Sequence, residues 1–278
     1  MKGMVNILYA LALIIMLLMS LRYITPTLLA FEEDPVEIKL DSMVYTLRDS
    51  LEIAKLYLDN SARYSLYQAA YNNSLNGGLE DIPPDAVLHE GVVYSLWYDD
   101  VEMSPDLADF SEALNSRFNK NFLEYLAGYS IDAIFKVKIP QYEEASVSPV
   151  SEGFYTSVDI VGKENLVITR TTSYDEVITI TKNPDISLIE ELPYFRLFEE
   201  AKQYHNTIKR NLADCDDDVL QAGNESFCCI ITAEVVEDGD KCMVKVEAVT
   251  RKKFLVWNGE DVAFEPKRLV FMDRAAKV

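Results

Sequence analysis

The chain has 278 residues, 46 acidic and 26 basic, for a formal net charge of −20. A surface of that sign repels polyanions, which excludes nucleic acid as a partner. Hydrophobic residues make up 49%, with 16 Tyr and 12 Phe against 10 Gly and 10 Pro, so a disordered chain is excluded and a sizeable core can form.

Residues 4–21 (MVNILYALALIIMLLMSL) carry no charge, and only Asn6, Tyr9 and Ser20 bring polar side-chain groups. A helix of that length spans about 27 Å, close to one hydrocarbon core, and only a helix satisfies its backbone at that depth. A retained membrane helix is expected. The apolar run exceeds that of a cleavable secretory signal, and no small-residue cleavage site follows in Arg22, Tyr23, Ile24, Thr25 and Pro26. Lys2 precedes the run and Arg22 follows it ahead of Glu32, Glu33 and Asp34. The N-terminus is therefore placed in the cytoplasm and the remainder beyond the cell membrane. The expected organisation is a membrane anchor at 1–24, a juxtamembrane connector at 25–40, an extracytoplasmic α+β domain at 41–212 and a cysteine-containing β region at 213–278.

A long amphipathic helix follows, capped by Asp41 or Ser42. Val44, Leu47, Leu51, Ala54, Leu58, Ala62, Leu66 and Ala69 recur at helical spacing until Asn76-Gly77-Gly78. Tyr57, Tyr64, Tyr67 and Tyr71 form a second stripe on the other side, suited to a second layer of the same domain or to a protein partner or second copy. The stretch 79–104, with Pro83, Pro84 and Trp97, reads as irregular, Trp97 being a loop residue tucked onto the core. Ser104-Pro105-Asp106 opens a second helix with Leu107, Phe110, Leu114, Phe118 and Tyr125 on its apolar face, and Gly128 stops it.

From Ile131 the period changes to two. Ile131, Ala133, Phe135, Val137 and Ile139 predict a strand, and 154–161, 166–172 and 177–181 continue as an antiparallel meander, with 141–153 a loop. A third helix begins near Pro193, with Phe198, Ala201, His205, Ile208 and Leu212 on one side. His205 in that stripe reads as a hydrogen-bonded core histidine, with no Ser, Cys or Asp partner indicated for a general base. The C-terminal part predicts hairpins: 227–236 with 242–249, 254–257 turning at Asn258-Gly259 into 262–265, then 269–272. The fold class is α+β, with long amphipathic helices packed on antiparallel sheet.

Asp214, Asp216, Asp218 and Glu225 stand at the spacing of a calcium loop, but Val219 occupies the position that requires glycine. A solvated acidic loop is the leading reading. Cys215, Cys228, Cys229 and Cys242 suggest disulfides outside the membrane. Cys242 lies opposite about Val236, far along the ladder from Cys228 and Cys229, and these two adjacent residues point to opposite faces. Cys215 with one of the adjacent pair is favoured, and the connectivity stays open. Zinc is disfavoured, since no Cys-x-x-Cys pair exists and His89 and His205 are distant in sequence.

Three stretches, ARYSLYQAAYNNSLNGG at 62–78, PYFRLFEEAK at 193–202 and VWNGEDVAFEPKRLVF at 256–271, resemble single-pass surface proteins of archaea. Lys2-Gly3 before the apolar run resembles a class III, pilin-type signal, with Leu8 where pilins usually carry Glu. The resemblance implies a cell-surface location and glycosylation at the sequons of Asn72 and Asn224. It brings no activity, cofactor or active-site residue. Serine-hydrolase and phosphate-loop patterns and paired histidine ligands are missing. The expected function is a membrane-anchored structural or interaction protein without catalysis or cofactor. The alternatives are a pilin-like filament subunit and an anchored solute-binding protein or hydrolase.

Overall fold

The computed structural model describes residues 36–129, 136–171, 177–212, 215, 224–226, 228–238 and 241–276. Among these the chain is mixed α+β, with three helices and several antiparallel sheets. No helix among them is long and apolar enough to cross a membrane; the expected membrane helix at 4–21 lies outside the described residues.

Helix α1 runs over Val36–Leu75. It starts ahead of Asp41 and Ser42, which lie within the helix rather than capping it. Leu47, Leu51, Ala54, Leu58, Ala62, Leu66 and Ala69 are at most 4% exposed, whereas Val44 is 41% exposed and lies outside the packed length. The helix ends as its glycines require. Gly78 N–H reaches Asn73 O at 3.0 Å and Gly77 N–H reaches Ser74 O at 3.2 Å, both glycines at positive φ, which closes a Schellman motif. A Cβ on Gly78 would stand 2.9 Å from the Phe110 ring.

The stretch expected to be irregular holds three short strands, β1 (Val87–His89), β2 (Val92–Tyr94) and β3 (Leu96–Asp99). Trp97 sits in β3, fully buried, and donates through Nε1 to Gly77 O at 2.9 Å. Helix α2 covers Leu107–Ala127, and its N-cap is Asp106, in a reciprocal capping box with Asp109, rather than Ser104. Phe110, Leu114, Phe118 and Phe122 are buried, while Leu107 and Tyr125 stay exposed.

The next strands are β4 (Lys136–Lys138), β5 (Ser146–Val150), β6 (Tyr155–Ile160), β7 (Leu166–Thr171), β8 (Val177–Lys182) and β9 (Ile186–Glu190). They form two three-stranded sheets, β4-β7-β8 and β5-β6-β9, instead of one meander. The expected loop at 141–153 contains β5, which turns into β6 through Ser151, Glu152 and Gly153, all at positive φ. Helix α3 follows at Tyr194–Asn211, with Phe198, Ala201, His205 and Ile208 buried as the period predicts.

The remaining strands are β10 (Asn224–Glu225), β11 (Cys229–Asp238), β12 (Lys241–Trp257) and β13 (Val262–Ala276). They build a sheet in the order β10-β11-β12-β13-β3, antiparallel except that β3 joins β13 in parallel. The predicted separate hairpin pieces are continuous strands because a bulge between Val249 and Lys253 absorbs the interruption. Thr250 repairs the ladder there: its Oγ1 accepts from Lys267 N at 2.9 Å and donates to Lys252 O at 2.8 Å.

Leu58 on the inner side of α1 is fully buried and Leu56 on the outer side is 60% exposed. Leu58→Ala is expected to cost about 2–5 kcal/mol, and Leu56→Ala to stay within about 0.5 kcal/mol. Urea unfolding of the purified chain checks both; equal effects would contradict the facing assigned to α1.

Candidate functional site

The tyrosine stripe is largely occupied inside the fold. Tyr57 donates to Tyr125 O at 2.7 Å and packs on Tyr129. Tyr67 donates to Glu190 Oε2 at 2.7 Å, while Arg63 Nε holds Oε1 at 2.6 Å, tying β9 to α1. Tyr71 lies under the ammonium of Lys267, 5.6 Å from its ring centre. Tyr64 is the most open, at 39%. Lys267 is fully buried and donates to Tyr67 O at 2.7 Å. Burial pushes its pKa down to about 7, against the pull of Glu265.

The cysteines pair differently from the favoured expectation. Cys215 bonds to Cys242, with Cα atoms 5.8 Å apart, and Cys228 and Cys229 are buried free thiols. Cys228 precedes the regular part of β11, so strand alternation does not part the two side chains, and their sulfurs lie 3.1 Å apart. Glu200, from α3, completes a cluster: its Oε2 is 2.9 Å from Cys229 Sγ, and its Oε1 accepts from Arg196 Nε at 2.9 Å. Ser226 Oγ stands 3.5 Å from one sulfur and 3.3 Å from the other. Burial opposes ionisation of Glu200, but Cys229, Ser226 and Arg196 together hold its carboxyl below the ordinary value. Glu200, Cys228 and Cys229 each offer one ligand atom within 4.8 Å of the others, the one such group among the described residues.

Asp214, Asp216 and Asp218 of the calcium spacing lie outside the described residues; Glu225 is exposed and pairs with Arg251 at 3.2 Å. Asn72 is half-buried on α1, its Oδ1 accepting from Gln68 Nε2 at 2.9 Å, and Asn224 belongs to β10. His89 lies in β1, its ring centre 6.4 Å from that of Tyr94.

His205 does have an acidic partner, and in fact two. Its Nδ1 is 2.9 Å from Asp273 on β13, and its Nε2 is 3.0 Å from Glu102 in the loop after β3. Lys209 and Ser104 hold Glu102 in turn. Burial alone would depress the His205 pKa, but the hydrogen bond and charge of Asp273, then those of Glu102, lift it above 6.5. Burial pushes Asp273 up to about 6, while Glu102, despite its own burial, is brought down to about 2 by Lys209, Ser104 and His205. The ring is fully buried against Trp97 and Phe271, so its chemistry here is a charge clamp joining α3, β13 and the β3 loop.

A groove of about 560 Å³ opens between α1, α2 and the tip of the β12–β13 hairpin. Tyr71, Tyr125 and Trp257 line it with Gln68, Asn72 and Asn121. Gln68 fixes the tip, donating to Trp257 O at 3.0 Å and accepting from Trp257 N at 2.8 Å. The Nδ2 of Asn121 is buried without a hydrogen-bond partner. Comparison with protein-family models, with curated proteins and with solved structures finds no match to this chain.

The sequence missed Glu102, Asp273 and Glu200. The signal for Asp273 was present, since Leu269, Phe271, Asp273 and Ala275 alternate onto one buried face.

Because the folded-state pKa values of His205 and Asp273 stand above 6.5 and 3.8, their stabilisation is full below those values and is lost as pH rises through the raised ones. Glu102 works in the opposite sense, its contribution present above 4.5 and lost on acidification toward about 2. The stability advantage of the wild type over a His205→Gln, Asp273→Asn double variant is therefore expected to shrink as pH rises from 3.8 through the raised value of His205, whereas Lys267, depressed to about 7 and adding stability as pH rises, is common to both chains. Thermal unfolding across this range checks it; an unchanged slope in the double variant would contradict the clamp.

Proposed function

We propose that the protein is a membrane-anchored, extracytoplasmic structural or interaction protein of the cell surface, held by residues 4–21 and presenting its α+β body as a contact surface. The carrying observation is that uninterrupted apolar run of one bilayer's length. The Cys215–Cys242 bond supports an oxidising compartment. A non-catalytic role is supported by His205, the group best suited to proton transfer, being sealed inside the core. The face offered to a partner or a second copy is the outer side of α1, where Tyr64 lies with Tyr45, Ile53 and Leu56, these three at least 60% exposed. Chains tethered in one membrane plane meet at raised effective concentration.

Two other readings each rest on one observation. Lys2-Gly3 before the apolar run favours a pilin-like subunit, and loss of the first three residues in the intact mass would mark it. The aromatic and amide-lined groove favours an anchored solute-binding protein.

Protease added to intact cells is expected to digest the C-terminal body, and the undigested chain to stay with the membrane until detergent is added. Removal of residues 4–21 is expected to release the body into the aqueous fraction. A native chain that is soluble without detergent, or protected from external protease, would contradict the proposal.

A further inference from the structure

The Cys228–Cys229 pair does not contribute to the disulfide, to the His205 clamp or to the groove. Two thiols and a carboxylate converge in the interior, where uncompensated polar groups are costly, and each has its position fixed. Arg196 takes Glu200 Oε1 and leaves Oε2 facing the sulfurs, while its own backbone N–H is held by Gly153 O at 3.3 Å. Glycine is required there, because a Cβ on Gly153 would come within 2.8 Å of that nitrogen. Ser226 is anchored as well, accepting through Oγ from Cys229 N at 3.3 Å and through its carbonyl from Arg251 Nε at 3.2 Å.

We propose that Cys228, Cys229 and Glu200 form a binding site for one thiophilic divalent cation, zinc or a chemically similar ion, with two sulfur ligands and one oxygen. Two thiolates and one carboxylate carry three negative charges; the cation and the Arg196 guanidinium supply three positive ones, so the loaded site is neutral. That balance is what a buried site of this size demands. Soft thiolates with a carboxylate suit a borderline-soft ion and disfavour calcium or magnesium, which take all-oxygen shells. Arg196 acts as the outer partner that orients the carboxylate.

Loading needs the sulfurs to part. With metal–sulfur bonds of about 2.3 Å at a tetrahedral angle they stand about 3.8 Å apart, against 3.1 Å here, a shift that side-chain rotation at the irregular start of β11 can supply. Binding is balanced by proton release: two thiol protons leave, two sulfur–metal bonds form and no electron is transferred. Cys228 lies in the wall of a pocket of about 360 Å³ together with Phe154, Tyr155 and Lys252, which would give an ion an entry path to the cluster. The inference stands on the described cluster and is independent of the membrane proposal.

The test is titration of the purified full chain, as solubilised, with cadmium as the thiophilic probe. Thiols are counted after unfolding, and peptide mapping of the untreated protein establishes whether the two cysteines are bridged. The expected result is a thiolate-to-cadmium charge-transfer band that saturates at one ion per chain, with zinc competing for the site. The band is expected to be lost in Cys228→Ser and in Cys229→Ser. Glu200→Gln, which keeps both sulfurs and the side-chain volume, and Arg196→Ala are each expected to weaken binding by about 10–100-fold. Free thiols without a saturable band would overturn the proposal, as would a Cys228–Cys229 bridge in the protein as isolated. A band that survives both serine substitutions would overturn it too. If a serine variant fails to fold, the wild-type stoichiometry and the Glu200→Gln affinity still decide the question.

Discussion

The structure depends on covering one side of a single helix. From Leu47 to Ala69 the inner side of α1 is sealed from water, and no single neighbour is wide enough to seal it. α2 lies along it, β7, β8 and β9 come from the two small sheets, and β12 and β13 come from the large one. Most of the buried apolar side chains of these elements belong to one continuous cluster. Each fully buried leucine contributes about 1.5–3 kcal/mol relative to exposure, so losing any one cover strips stabilisation from the others through the helix they share.

Polar groups in this interior sit where elements must be held in register. Gln68 and the Arg63–Glu190–Tyr67 group fasten the hairpin tip and β9 to α1. Lys267 lies opposite the β12 bulge, reaching across to Tyr67 O with its ammonium against the rings of Tyr71 and Phe254. His205 joins α3 to β13 and to the loop after β3. Nearer the start of α3, Glu200 meets the paired thiols. Breaking such a contact leaves a buried polar group unpaired, which costs more than the contact itself gains.

What the sequence could reveal followed from periodicity long enough to count. The α1 stripe and its glycine stop, α3 with His205 inside it, and the strand pattern of β6, β7 and β8 were legible on that ground. The parallel pairing of β3 with β13 was not, since Leu96–Asp99 has four residues and its partner lies far along the chain. β5 was hidden by Ser146, Ser148 and Pro149, which read as loop composition but sit on an edge strand. The disulfide expectation failed for a related reason: the ladder does keep Cys242, opposite Glu237, away from Cys228 and Cys229, but the approach of Cys215 to Cys242 depends on the fold as a whole. The Glu200 cluster has no local signature, because its members come from α3 and from the start of β11.

The central claim is that α1 makes these layers one cooperative unit. Native-state hydrogen exchange on the full chain tests it most directly. The slowest amides of the buried part of α1, of α2, of β7 and of the β12–β13 ladder are predicted to share one exchange free energy equal to that of global unfolding. A lower, separate value for α2 or for the β4-β7-β8 sheet, with α1 still fully protected, would contradict it.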